Sequence, residues 1–165
     1  MKLSKHQHKF IVSWGGLASQ WGVNKTLAQI HGLFLVIHQP VCMEDIMELL
    51  HISRGNVNMN VRTLIDWGMI YKQSILGERR EFYVGEKDMW LILKRMIKVR
   101  KERELDPMLR LVREIKQEVN TEDSPESSKE FVERIELIER FASQADSTLN
   151  MLLNMDEKGF LEDFR

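Results

Sequence analysis

The sequence predicts a mainly α-helical fold carrying one small β-hairpin, and three features of the 165 residues point to it. Apolar residues recur every three or four positions through most of the chain, as expected of helices that bury one side. Within residues 43–67 two such segments are separated only by a break around Ile52 and Ser53, which reads as two short helices meeting at a tight turn. Immediately afterwards two strand-like runs flank Leu76, Gly77, Glu78 and Arg79, a turn sequence.

The first helix starts at Ser4 and carries Phe10, Trp14, Leu17 and Trp21 on one side. Gly15 and Gly16 weaken it by about 1 kcal/mol each relative to alanine, so a bend or a close backbone approach by a partner helix or ligand is expected there. A second helix begins near Asn24, a good N-cap, and presents Leu27, Ile30, Phe34 and Ile37 before Pro40 stops it.

The next helix, from Met43, places Glu44 and Asp45 in its first turn, where carboxylates favour the positive end of the helix dipole. Cys42 holds its cap position, a poorer choice than serine. Ile46, Leu49 and Leu50 form its buried side, and Ile52 plugs the turn. Ser53 caps the following helix, over residues 53–67, whose buried side is Val57, Val61, Leu64 and Ile65 and which Gly68 closes. Residues 69–75 and 80–84 are expected to be strands.

Beyond Glu86 the helical period returns with Met89, Leu93, Met96 and Ile97, then Leu105, Met108, Val112, Ile115 and Val119. Pro107 cannot donate a helical hydrogen bond, so a kink or restart is expected at residues 105–107. Residues 120–128 contain no apolar side chain and read as a solvated turn or linker, and the tail from Asp156 as loosely held. Between them, residues 129–154 keep a seven-residue repeat in Phe131, Ile135, Ile138, Ala142, Ala145, Leu149 and Leu152. That stripe needs a partner: either residues 105–119 in a helical hairpin or a second copy of the chain.

Composition bounds the function classes. Apolar content is 43% and charged content 30%, which suits a folded, water-soluble chain. The net charge of −1 hides a separation, about +6 over residues 1–120 and about −7 over residues 121–165. A single cysteine, Cys42, excludes an internal disulfide and suits a reducing compartment. With no export signal in the first residues and no membrane-length apolar run, the expected location is the cytoplasm.

Two helices at a turn followed by a hairpin is the layout of a DNA-reading module, and the helix over residues 53–67 supplies suitable chemistry. Gly55, Asn56, Met59, Arg62 and Thr63 lie opposite its apolar side. Asn can pair with adenine through two hydrogen bonds, Arg can reach guanine or phosphate, and Met can touch a thymine methyl group. Gly55, with the amides after Ser53 and Arg54, allows close approach to phosphate. A polar helix face is ordinarily just solvated. Asn56, Asn58 and Asn60, however, cost about 0.5 kcal/mol each against alanine in a helix, so helix stability does not explain them, whereas contact with bases or phosphate would. Lys72, Arg79 and Arg80 on the hairpin are further candidates, for phosphate or a minor groove. The basic run Lys94, Arg95, Lys98, Arg100, Lys101 and Arg103 is an ambiguous one.

Other chemistries find less support. There is no phosphate-cradling glycine loop and Cys42 has no evident histidine partner, so no enzyme and no cofactor is expected. His31 and His38 stand seven apart and would suit a metal-responsive regulator, but no cysteine cluster joins them and no metal site is assigned. Trp14, Trp21 and Trp90 are candidates for an aromatic cage around a quaternary ammonium ion, against the plainer reading of core or dimer interface.

The segment ISRGNVNMNVRTLIDWGMIYK, followed by GERREFYVGEKDMW and RKERELDPML, resembles the GbsR group of bacterial regulators, relatives of the MarR-type repressors. The resemblance covers residues 10–111 and is densest over Ser53, Arg54, Gly55, Asn56 and Leu64, Ile65, Asp66, Trp67, Gly68. It implies a winged helix-turn-helix that dimerises through terminal helices and binds an inverted repeat at a promoter. Some members sense choline or related osmolytes. The expectation is therefore a homodimeric repressor of double-stranded DNA, with residues 1–24 as a supporting and dimerising helix, 25–86 as the DNA-binding domain and 87–165 as dimerising helices. Two copies would set the reading helices about one DNA turn apart, on a pseudo-palindromic site. The rival is a winged-helix module that binds protein, using the acidic C-terminal helix.

Overall fold

The computed structural model describes residues 2–121 and 129–156. In chain order the elements are α1 (Lys5–Gln20), α2 (Lys25–Val36), β1 (Val41–Cys42), α3 (Met43–Leu50), α4 (Arg54–Asp66), β2 (Ile70–Gln73), β3 (Phe82–Gly85), α5 (Met89–Arg100), a π-helical turn at Lys101–Leu105, α6 (Asp106–Thr121) and α7 (Lys129–Asn154). The chain is thus mainly helical with one small antiparallel sheet, as expected. It forms two compact units, Met1–Arg95 and Met96–Arg165.

In the first unit α2 is the central rod. Leu27, Ala28, Ile30, Leu33 and Phe34 are all buried, so α2 is covered on several sides. Against it lies α1, whose Gly15 provides the close approach expected from the sequence. A Cβ there would sit 2.5 Å from Gln29 Cγ and 3.2 Å from the Lys25 carbonyl oxygen. Side chains distant in sequence close the end of α2. Gln7 Nε2 donates to the Val36 carbonyl, and the Lys87 ammonium donates to those of Phe34 and Ile37. Lone carbonyls at a helix C-terminus need such donors.

The turn between α3 and α4 is built on His51, whose φ of 52° and ψ of 47° put a non-glycine residue in the left-handed region. Ile52 N–H donates to the Met47 carbonyl at 3.3 Å and Ser53 then caps α4, its hydroxyl accepting from Asn56 N–H. Val57, Val61 and Leu64 are buried as predicted.

The sheet has three strands in the order β1-β3-β2, one more than the predicted hairpin. Val41 pairs with Tyr83 and Cys42 with Phe82, so the residues before α3 are anchored to the hairpin of β2 and β3, which would be the wing of the expected fold. Two residues are too few to show a period, which is why this strand is invisible in the sequence. Cys42 also caps better than expected: its backbone N–H donates to Asp45 Oδ2 at 2.9 Å. The other two strands are shorter than predicted, with Lys72 opposite Tyr83. Their connection turns at Gly77, φ 84°, and Glu78 N–H donates to the Ile75 carbonyl.

In the second unit α7 packs against α6, and Leu109, Val112, Ile135 and Ala142 are buried. Of the two partners expected for the heptad stripe, α6 of the same chain is the one present. Lys101 lies 2.8 Å from both Asp106 and Asp146, and Glu139 lies 2.7 Å from Lys116 and 3.6 Å from Arg113. The kink or restart expected at residues 105–107 takes the form of a π-helical turn at Lys101–Leu105, after which the α-helix restarts at Asp106. Asp106 N–H donates to the Lys101 carbonyl five residues back, a wider turn that accommodates the proline ring without ending the helix. Asn120 and Thr121, expected in a linker, belong to α6. The rest of that segment and the tail beyond Asp156 lie outside the described residues.

Candidate nucleic-acid interface

The buried Val57, Val61 and Leu64 fix the rotation of α4, and the opposite side is presented outward. Arg54, Gly55, Met59 and Arg62 are exposed, Met59 by 58% of its surface, while Asn56, Asn58 and Thr63 are half-buried. The Ser53 hydroxyl is occupied as a cap, and Thr63 donates to the Met59 carbonyl at 3.1 Å. Arg54 lies 3.0 Å from Glu44, so α3 and α4 are linked at the N-terminus of α4. Arg62 forms no ion pair among the described residues.

Asn60 is a correction. It is 3% exposed, and its Nδ2 donates to the Asn56 carbonyl at 2.8 Å and to Asn56 Oδ1 at 2.7 Å. Its place one helical turn after Asn56, close to the buried side, turns its amide inward. The cost of this asparagine in a helix is thus offset by two intramolecular bonds, and it is not part of the outward surface. Asn56 shares its side-chain oxygen with that bond, leaving its own Nδ2 as a donor.

The wing adds Lys72, Arg79 and Arg80, all exposed. Two of them face carboxylates. Lys72 Nζ is 2.6 Å from Glu81, and Arg80 contacts Glu78 through Nε and Nη2 at 3.1 to 3.2 Å. Arg80 also lies 5.2 Å from the centre of the Phe82 ring. Arg79 forms no ion pair among the described residues. The bonds from Lys72 and Tyr83 hold the Glu81 carboxyl below the usual carboxylate range. In Glu44 a backbone hydrogen bond does the same. Burial, with the neighbouring Glu81, pushes the Tyr83 phenol up to about 12. The candidate surface therefore carries ionised acids among its bases, a feature the search for cations in the sequence overlooked.

A second cluster fixes the wing base. Tyr71 OH donates to Glu86 Oε2 at 2.5 Å, and Arg95 Nη1 donates to Tyr71 OH at 2.7 Å, to Glu86 at 3.0 Å and to the Gly68 carbonyl. The bond from Tyr71, with the backbone amides of Asp88 and Lys87, holds the Glu86 carboxyl down at about 2. The basic run that contains Arg95 is mostly matched by acids. Lys98 and Arg100 face Glu102 and Glu104, and Lys101 faces Asp106 and Asp146.

The aromatic candidates divide. Trp14 stacks on Phe10 with ring centres 5.7 Å apart and leans against His31 at 6.1 Å, inside the packing of α1 on α2. Trp21 stands 65% exposed at the end of α1, and Trp90 is half-buried in the first turn of α5. His31 is itself 7% exposed, and burial lowers its imidazole to about 4. Among the described residues no group of three histidine, cysteine or acidic side chains could hold a metal ion.

No family profile and no curated protein matches the chain. Among solved structures it is similar to the crystal structure of a transcriptional regulator, with a TM-score of 0.67 at 17% sequence identity over 90% of this chain and 95% of the other. That likeness establishes a shared fold. The mainly helical architecture with its three-stranded antiparallel sheet is consistent with a winged-helix fold. No helix of the described residues is long and apolar enough to cross a membrane.

Proposed function

We propose that this chain is a DNA-binding transcriptional regulator of the cytoplasm, acting as a homodimeric repressor on a pseudo-palindromic promoter site. One observation carries the reading. The outward side of α4, a helix held by Ser53 and a buried apolar row, offers Arg54, Gly55, Asn56, Asn58, Met59 and Arg62 beside the exposed wing cations Lys72, Arg79 and Arg80. Those are side chains that read base edges and bind phosphate. The shared fold with a protein described as a transcriptional regulator supports it. Homodimerisation through residues 1–24 and 87–165, with residues 25–86 as the DNA-binding region, belongs to the same proposal, and the apolar side chains left open on α6 and α7 support its C-terminal part. Leu111, Leu137, Phe141 and Met151 are all more than half exposed. A choline-like effector is proposed as a ligand of the same regulator on the family resemblance alone.

Selection from random duplex DNA with the purified protein tests the reading, and an inverted repeat is the expected product. In gel-shift titrations Arg62→Ala is expected to weaken binding to all duplexes and reduce the salt slope by about 1, whereas Asn56→Ala should cost about 1 to 3 kcal/mol at particular bases. Purified protein that ignores duplexes even at low salt would overturn the assignment in favour of a protein-binding winged helix.

A further inference from the structure

The three carboxylates beside the candidate cations have modest structural roles, Glu44 in the first turn of α3 and Glu81 as acceptor for the Tyr83 hydroxyl, and the ion pairs they form are open to water. Glu44 faces Arg54 at 3.0 Å, Glu81 faces Lys72 at 2.6 Å and Glu78 faces Arg80 at 3.1 Å, yet every one of these six side chains is 39% to 70% exposed. Pairs so open to water add little to folding. What they do change is the field that a polyanion meets. Of the five cations assigned to this surface, Arg54, Lys72 and Arg80 are already matched, leaving Arg62 and Arg79 outside these pairs. A phosphate approaching Arg54, Lys72 or Arg80 must share the cation with a carboxylate of its own sign. Affinity for unrelated DNA comes almost wholly from phosphate neutralisation, whereas affinity for a chosen site adds base contacts. Carboxylates placed here therefore penalise the first kind of binding more than the second.

We propose that Glu44, Glu78 and Glu81 act as an electrostatic brake on binding to DNA of unrelated sequence, so that sites are chosen by base contacts rather than by charge. The inference rests on the DNA-binding reading above and names how that surface gains its selectivity. The test is the triple variant Glu44→Gln, Glu78→Gln, Glu81→Gln, with the single variant Glu78→Gln beside it. Glutamine keeps the size of each side chain and one of its two acceptor oxygens while removing its charge. Affinities are measured over a salt series for a pool of random duplexes and for the tightest duplex recovered from that pool.

For the triple variant the random pool is expected to bind on the order of tenfold tighter or more, with a salt slope steeper by about 2 to 3, while the recovered duplex gains less and the ratio between them falls. The single variant should move the same way by a smaller amount. Unchanged affinity for the pool, an equal gain on both duplexes, or a loss on the recovered duplex alone would each overturn the brake. Wild-type binding with an unaltered triple variant removes this inference alone. A wild-type protein that binds neither duplex removes the DNA reading and the brake together.

Discussion

Asn60 shows how one side chain can be misread from its type. Three asparagines in one short helix were the strongest compositional hint of base contact, and the helical wheel put Asn56 outward correctly as far as its half-exposed position goes. It could not show that the residue four places later would turn back to bond it. Asn60→Ala is expected to lower stability by about 1 to 3 kcal/mol in denaturant unfolding, because it strips two hydrogen bonds from a buried position, and to leave duplex affinity nearly unchanged. A variant of native stability with weakened DNA binding would return Asn60 to the reading surface. His31 behaves differently. Its imidazole is neutral in the fold, lowered to about 4 by burial, whereas an unfolded histidine titrates near 6.5. The unfolded chain thus takes up the proton first, and stability falls as the pH drops from about 6.5 towards 4, by about 2 kcal/mol at pH 5. His31→Phe should flatten that part of a plot of urea midpoint against pH. An equally steep plot would assign the loss to other groups.

Among elements, the helices were legible because each buries one side, and their apolar period survives in the sequence. The hairpin was legible through its turn residues, although the bond from Glu78 N–H to the Ile75 carbonyl closes the turn one residue earlier than the predicted span of 76–79. β1 was not legible, since its two residues are defined by pairing with Tyr83 and Phe82 about 40 positions away, a tertiary fact. Nor was the π-helical turn, because a proline announces a disturbance but not its form. Of the candidate interface, the exposed cations of α4 and the hairpin could be read directly, whereas the pairs of Arg54 with Glu44 and of Lys72 with Glu81 could not, since pairs across 10 and 9 residues depend on the turn between α3 and α4 and on strand register. That turn makes its own prediction. His51 holds a left-handed conformation that glycine adopts without penalty, so His51→Gly should stabilise the protein by a few tenths to about 1 kcal/mol in thermal or urea unfolding. Destabilisation would mean that the imidazole makes a contribution exceeding the strain.

At the scale of the whole molecule, the proposed dimer rests on side chains that the chain leaves uncovered. Phe141 is 77% exposed on α7, a helix whose inner row of Ile135 and Ala142 is already buried against α6. Phe141→Glu is expected to keep the helical circular dichroism signal and shift sedimentation from dimer to monomer. A dimer that persists at low micromolar concentration would place its interface elsewhere. The end of α2 has a consequence for how small a working piece can be. Its last carbonyls are satisfied by Gln7 from before it and Lys87 from after the wing. Excising residues 25–86 as an autonomous fragment would discard both donors and leave the central rod frayed at one end. The shortest stretch able to stand alone therefore begins at the cap of α1 and runs past the wing to the start of α5.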